Sequence, residues 1–122
     1  MKTKKTKKTL AMIVVMSMLL SMGCFAQTAS YNGGTVSYTL NRVGSGKSSG
    51  VATTGYDVAG YIQYVAVFGY DKTGAAVISD SASSAASASA ATKTKSGIKK
   101  YKSTHIIKDA TGTPLKKYNL EV

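Results

Sequence analysis

Half of the chain's 16 basic residues are lysines crowded between Lys93 and Lys117: Lys93, Lys95, Lys99, Lys100, Lys102, Lys108, Lys116 and Lys117. Clustered ammonium groups raise the local concentration of anions and speed their encounter with the surface, which no single lysine achieves. From Ile98 onward Lys100, Lys102 and Lys108 fall on one parity, and Tyr101, Ser103, His105 and Ile107 on the other. A strand with that alternation turns one charged face to water. Lysines also protect strand edges from unwanted pairing, so the cluster has a structural explanation as well as a functional one. The functional one is attraction to an anionic cell-wall polymer or an anionic lipid surface, with these eight lysines as the candidate binding residues.

Catalytic chemistry finds little to work with. His105 is the single imidazole, and no nucleophile or second strong metal ligand accompanies it in sequence. Its parity places it in a hydrogen-bonded network on a sheet face. Asp57, Asp71, Asp80, Asp109 and Glu121 are scattered, which gives no support to paired-carboxylate hydrolysis. Gly44-Ser45-Gly46-Lys47-Ser48 resembles the end of a phosphate-binding P-loop. Asn41 stands where the first glycine of that motif belongs, and Ser49-Gly50-Val51-Ala52-Thr53 reads as loop and strand rather than as the helix whose N-terminus holds the phosphate. Asp71-Lys72-Thr73-Gly74 and Asp109-Ala110-Thr111-Gly112 echo the Asp-Thr-Gly of aspartic proteases, but each has a residue between Asp and Thr. These readings assign no catalytic, cofactor or metal residues and no nucleotide ligand.

Eight tyrosines, Tyr31, Tyr38, Tyr56, Tyr61, Tyr64, Tyr70, Tyr101 and Tyr118, and no tryptophan complete the inventory. Tyrosine suits strands because its ring packs while its hydroxyl reaches water. Core and cross-strand packing is the first explanation, and an exposed sugar-binding or protein-binding platform the second. The lack of tryptophan weakens the sugar version.

The elements that position these residues begin after a leader. Five lysines in the first eight residues run into the apolar stretch Leu10 to Gly23 and then Cys24-Phe25-Ala26, the layout of a bacterial secretory signal. The apolar run is too short for the roughly 20 residues of a membrane-spanning helix. Small residues at Cys24 and Ala26 predict cleavage after Ala26, a single domain over 27–122 and a secreted, extracellular location. Leu20-Ser21-Met22-Gly23-Cys24 resembles a bacterial lipobox in its Gly-Cys ending, with its leucine one place out of register and Met22 at a small-residue position; lipidation at Cys24 is the minority alternative. Export makes nucleic acid an unexpected physiological partner. The leader carries five basic residues and no acid, so the domain after it keeps a net charge of +6. Removing the leader also removes Cys24, the single cysteine, and stability then rests on packing and backbone pairing.

Period-two alternation dominates the domain, with Gly, Asp, Ser and Asn between the runs. Thr35–Val43 reads as a half-buried strand with Val36, Tyr38 and Leu40 inward. Tyr61–Tyr70 is apolar on both parities and reads as a central strand. The two Asp-x-Thr-Gly segments read as hairpin turns, with the aspartate capping and the glycine left-handed. Within the Ser/Ala-rich Ser79–Ala91, the spacing predicts a loop followed by a strand from about Ala86 to Lys95 with a small-residue face. The expected fold is all-β: a small antiparallel β-sandwich, immunoglobulin-like in form, with closure into a small barrel as the alternative. The expected function is non-enzymatic binding of anionic envelope or surface components through the lysines. A secreted antimicrobial, bacteriocin-like protein is the second class, supported by size, export and charge without a diagnostic motif.

Overall fold

The computed structural model describes residues 24–44 and 48–122. The expected leader up to Gly23 and the centre of the P-loop-like segment, 45–47, lie outside the described residues.

Eight strands form two four-stranded antiparallel sheets: β1 (Cys24–Tyr31), β2 (Gly34–Val43), β3 (Ser49–Tyr56), β4 (Ile62–Tyr70), β5 (Ala76–Ser84), β6 (Ser87–Ala91), β7 (Lys100–Lys108) and β8 (Pro114–Glu121). The first sheet runs β1-β2-β3-β6 and the second β5-β4-β7-β8. This is the expected β-sandwich. Its first three strands follow one another as a meander, an order different from the A-B-E-D arrangement of immunoglobulin domains.

The alternation read from the sequence becomes the core. Val36, Tyr38 and Leu40 of β2 share one buried cluster with Val65 and Val67 of β4 and Tyr101 and Ile107 of β7. β4 is flanked by β5 and β7, the central position expected for it. Tyr101 is wholly buried because two glycines make room for it. A Cβ on Gly50 would stand 2.5 Å from the Tyr101 ring, and one on Gly69 2.9 Å from it.

Both Asp-x-Thr-Gly turns close hairpins, β4–β5 and β7–β8. Gly74 and Gly112 have φ of 85° and 89°, a region that costs other residues steric energy. Asp71 Oδ1 accepts from the Thr73 and Ala75 amides at 2.8 and 3.2 Å, and Asp109 Oδ1 from those of Thr111 and Thr113 at 2.9 and 3.0 Å. The Thr73 and Thr111 hydroxyls donate to the same oxygens and lead the causes that hold these carboxyls below the usual aspartate range.

The Ser/Ala segment departs from expectation. Ser79–Ser84 is not a loop: it belongs to β5, paired with β4 from Gln63↔Ser84 to Phe68↔Ser79. The hairpin turn fixes that register, and pairing with an apolar central strand overrides the weak propensity of Ser and Ala. The strand expected over Ala86–Lys95 is shorter, Ser87–Ala91, with Ala88 and Ala90 buried. Beyond it Thr92 still follows β3, its amide donating to Gly50 O at 2.9 Å and its hydroxyl accepting from Gly50 N at 3.0 Å.

β1 includes three residues on the leader side of the expected cleavage point. Cys24, Phe25 and Ala26 pair with Asn41, Leu40 and Thr39, and Phe25 packs against the core.

Candidate functional site: a lysine and aromatic sheet face

The second sheet turns its outer face to water, and strand parity decides what stands on it. β4 contributes Ile62, Tyr64, Ala66, Phe68 and Tyr70. Directly opposite them on β7 are Lys108, Ile106, Thr104, Lys102 and Lys100. β8 adds Lys117 opposite Ile106 and Glu121 opposite Lys102. Four of the eight candidate lysines, Lys100, Lys102, Lys108 and Lys117, therefore share one face. Lys116 falls on the opposite parity of β8, with its ammonium 5.8 Å from the Tyr118 ring centre. Lys93, Lys95 and Lys99 are exposed in the connection between β6 and β7.

The aromatic residues of β4 hold the ammonium groups. Lys108 Nζ lies 4.4 Å from the centre of the Tyr64 ring and Lys102 Nζ 5.3 Å from that of Tyr70. Each contact places the cation over the negative face of a ring, within the range of a cation–π attraction. The single acid on this face, Glu121, is shared between Lys100 at 3.5 Å and Lys102 at 3.8 Å. These exposed pairs contribute little to stability. Lys108 and Lys117 have no carboxylate in ion-pair range among the described residues.

The face runs into an open depression of about 510 Å³ at the end of the sandwich, between the β4–β5 turn and the β6–β7 connection. Lys72, Lys95 and Lys99 converge on it, beside Asp71, Val77 and Gly97. Lys99 is tied to the sheet face through its amide, which donates to Tyr70 O at 2.8 Å. Sequence reading missed Lys72 here, because it stands in the first hairpin turn, far from the lysine cluster along the chain. Its membership is a consequence of chain reversal at Asp71–Gly74.

His105 lies between the sheets, wholly buried. The Thr54 hydroxyl of the first sheet is 2.8 Å from Nδ1, and the Ser103 hydroxyl is 2.6 Å from Nε2. A hydroxyl can donate or accept, so both ring nitrogens are satisfied in either tautomer. The Tyr38 ring packs 5.2 Å away and stacks on Tyr118 at 4.7 Å. Burial pulls the imidazole down to about 4, opposed in part by the Thr53 backbone. Ser103 and His105 have the contact of a nucleophile and its base, yet Ser103 and Thr54 are as buried as the imidazole. The geometry is that of the sheet-face network expected from parity, at greater depth.

The carboxylates remain dispersed. Asp57 Oδ1 accepts from Thr35 N at 2.7 Å and Asp80 Oδ2 from Ala91 N at 3.0 Å, Asp71 and Asp109 cap turns, and Glu121 meets lysines. Among the described residues no three His, Cys, Asp or Glu side chains gather in a way that could hold a metal ion. Of the tyrosines, Tyr38, Tyr56 and Tyr101 are in the core, and Tyr31, Tyr61 and Tyr118 pack against it. Tyr64 and Tyr70 stand on the lysine face.

No protein-family model, curated protein or solved structure matches this chain.

Proposed function

We propose that this is an exported, non-enzymatic protein that attaches to anionic polymers of a cell envelope through the outer face of its second sheet. One observation carries the reading: Lys100, Lys102, Lys108 and Lys117 share that face, while a single acid, Glu121, stands among them. Tyr64 and Tyr70 support Lys108 and Lys102 from beneath. Ammonium groups held over rings keep their charge and lose freedom before any ligand arrives, which lowers the entropic cost of binding. The depression lined by Lys72, Lys95 and Lys99 extends the positive surface around the end of the sandwich. The leader supports export, and the buried position of Ser103 and His105 supports a core role for them.

The test is retention on immobilised anionic polymer at low salt, with anionic and neutral lipid vesicles as separate arms. Wild type is expected to be retained on polymer and released as salt shortens the screening length to about 3 Å at 1 M. Replacing Lys100, Lys102, Lys108 and Lys117 together by Gln is expected to abolish retention with the melting temperature preserved. Failure of wild type to bind at low salt overturns the reading, and binding insensitive to salt and to the four changes points instead to a discrete pocket. Retention on anionic vesicles alone transfers the reading to a lipid surface.

A further inference from the structure

The four strands at the sheet borders are not equally defended. β8 carries Pro114, Lys116 and Lys117, residues that discourage a further strand from adding. β5 and β6 border each other across the sandwich, and Asp80 of β5 bonds the Ala91 amide of β6, so that side is closed. β1 is different: it has eight residues, Cys-Phe-Ala-Gln-Thr-Ala-Ser-Tyr, without a charge or a proline.

The β1–β2 turn shows which backbone groups β1 leaves open. Asn32 and Gly33 both have positive φ, 46° and 82°, a two-residue type I′ turn closed by the pair Tyr31↔Gly34. In such a hairpin the closing pair exchanges hydrogen bonds, and the pattern repeats every second residue. Tyr31, Ala29, Gln27 and Phe25 thus bond to β2, while the N–H and C=O of Ser30, Thr28 and Ala26 point away from it, at a border where no other described strand pairs.

We infer that β1 is a self-pairing edge, which joins two copies of this chain antiparallel about a two-fold axis. Centred on Ala29, the pairing sets Thr28 opposite Ser30 of the second copy and Ser30 opposite Thr28 of the second copy, residues that β1 keeps whether or not the chain is cut after Ala26. The occupant follows from charge: an uncharged strand meets an uncharged strand, whereas the lysine-bearing β8 edges would repel each other. β8 packs against β2, which leaves β1 at the rim. A two-fold between antiparallel strands is perpendicular to the sheet, so both lysine faces point to the same side of the pair. The inference does not depend on what those faces bind.

Sedimentation equilibrium of the exported, purified protein tests it, at high salt to suppress any lysine-driven association. Wild type is expected at twice the protomer mass. Thr28→Pro removes an outward donor and leaves the β2 ladder intact, and Ser30→Lys sets a charge beside the open edge; each is expected to halve the mass, and the second keeps the test open if the first fails to fold. A monomeric wild type, a pair that survives Ser30→Lys, or a mass that climbs past two copies with concentration overturns the proposal.

Discussion

The two outer faces of this sandwich are built from the same strand geometry and opposite chemistry. On the first sheet the outward parity presents Thr28 and Ser30, then Thr35, Ser37, Thr39 and Asn41, then Ser49 and Thr53, then Ser87 and Ser89. With Val43, Val51 and Ala91 among them, the described residues make a mainly hydroxyl surface without a charge, on which Thr39 and Thr53 bond directly through their side chains. On the second sheet the outward positions of β4 and β7 set Tyr64, Phe68 and Tyr70 beside Lys100, Lys102 and Lys108, with Ile62, Ala66, Thr104 and Ile106 among them. The hydroxyl face meets its hydrogen-bonding needs locally or with water, whereas the lysine face holds unneutralised charge in register. The contrast locates the proposed binding surface better than total charge does, because a lysine's effect on a polymer depends on which neighbours act with it.

Moving the charge is the strongest way to break this comparison. In the protein with Lys100, Lys102, Lys108 and Lys117 replaced by Gln, lysines placed at Ser37, Thr39, Ser87 and Ser89 restore the net charge on the opposite face. If the rings beneath the lysines matter, polymer retention stays at least about tenfold below wild type; if charge alone binds, retention returns in full. A low-salt binding isotherm of the three proteins reads the difference.

Acid attacks the joint between the faces. His105 of the second sheet bonds Thr54 of the first, and its folded-state value of about 4 lies below the ordinary 6.5. The unfolded chain therefore binds the extra proton first, and stability falls as pH drops from about 6.5 towards 4, by an amount on the order of 3 kcal/mol. Asp71 and Asp109, also depressed, add their losses at lower pH. Denaturant titrations at pH 7 and pH 4.5 should show the decline in wild type and a flatter dependence in His105→Gln.

Two glycine changes separate the core from its turns. Gly50→Ala drives a Cβ into the Tyr101 ring and should cost about 1–3 kcal/mol, as overpacking does. Gly74→Val meets no steric neighbour but forces a branched residue to positive φ, for a loss of about 1 kcal/mol or more. Thermal melts rank the two. The smallest effect belongs to the hydroxyl face: Thr39→Val leaves a half-exposed Thr53 partner that water can satisfy, and stability should move by no more than about 0.5 kcal/mol.

Processing bears on the same architecture. Cleavage after Ala26 leaves β1 with Gln27–Tyr31 and removes Phe25 from its packing against the core, whereas cleavage before Cys24 keeps the whole strand. Intact-mass measurement of the exported protein distinguishes the two termini, and a diacylglyceryl-modified Cys24 would mark the lipoprotein route.

Much of the fold was legible because local rules act there without competition. Val36, Tyr38 and Leu40 alternate with hydroxyl residues, and the period alone places them inward. Asp71 and Asp109, each three residues before a glycine, announce their turns. Ser79–Ser84 was not legible, since nothing in a run of Ser and Ala distinguishes a linker from a strand until β4 supplies its ladder. For the same reason the parity of Lys100, Lys102 and Lys108 was readable, but not their rings: Tyr64 and Tyr70 come to them only through the β4–β7 register.

By itself the sequence determined the alternation of β2, the two Asp-x-Thr-Gly turns and the side of β7 that carries charge, because these depend on neighbours within a few residues. Tertiary structure alone decided that Gly50 and Gly69 frame Tyr101, that Thr54 reaches His105, that Lys72 joins Lys95 and Lys99, and that lysines and rings share one face. Those outcomes need residues tens of positions apart, and the pairing of strands and the packing of two sheets are what bring them within contact.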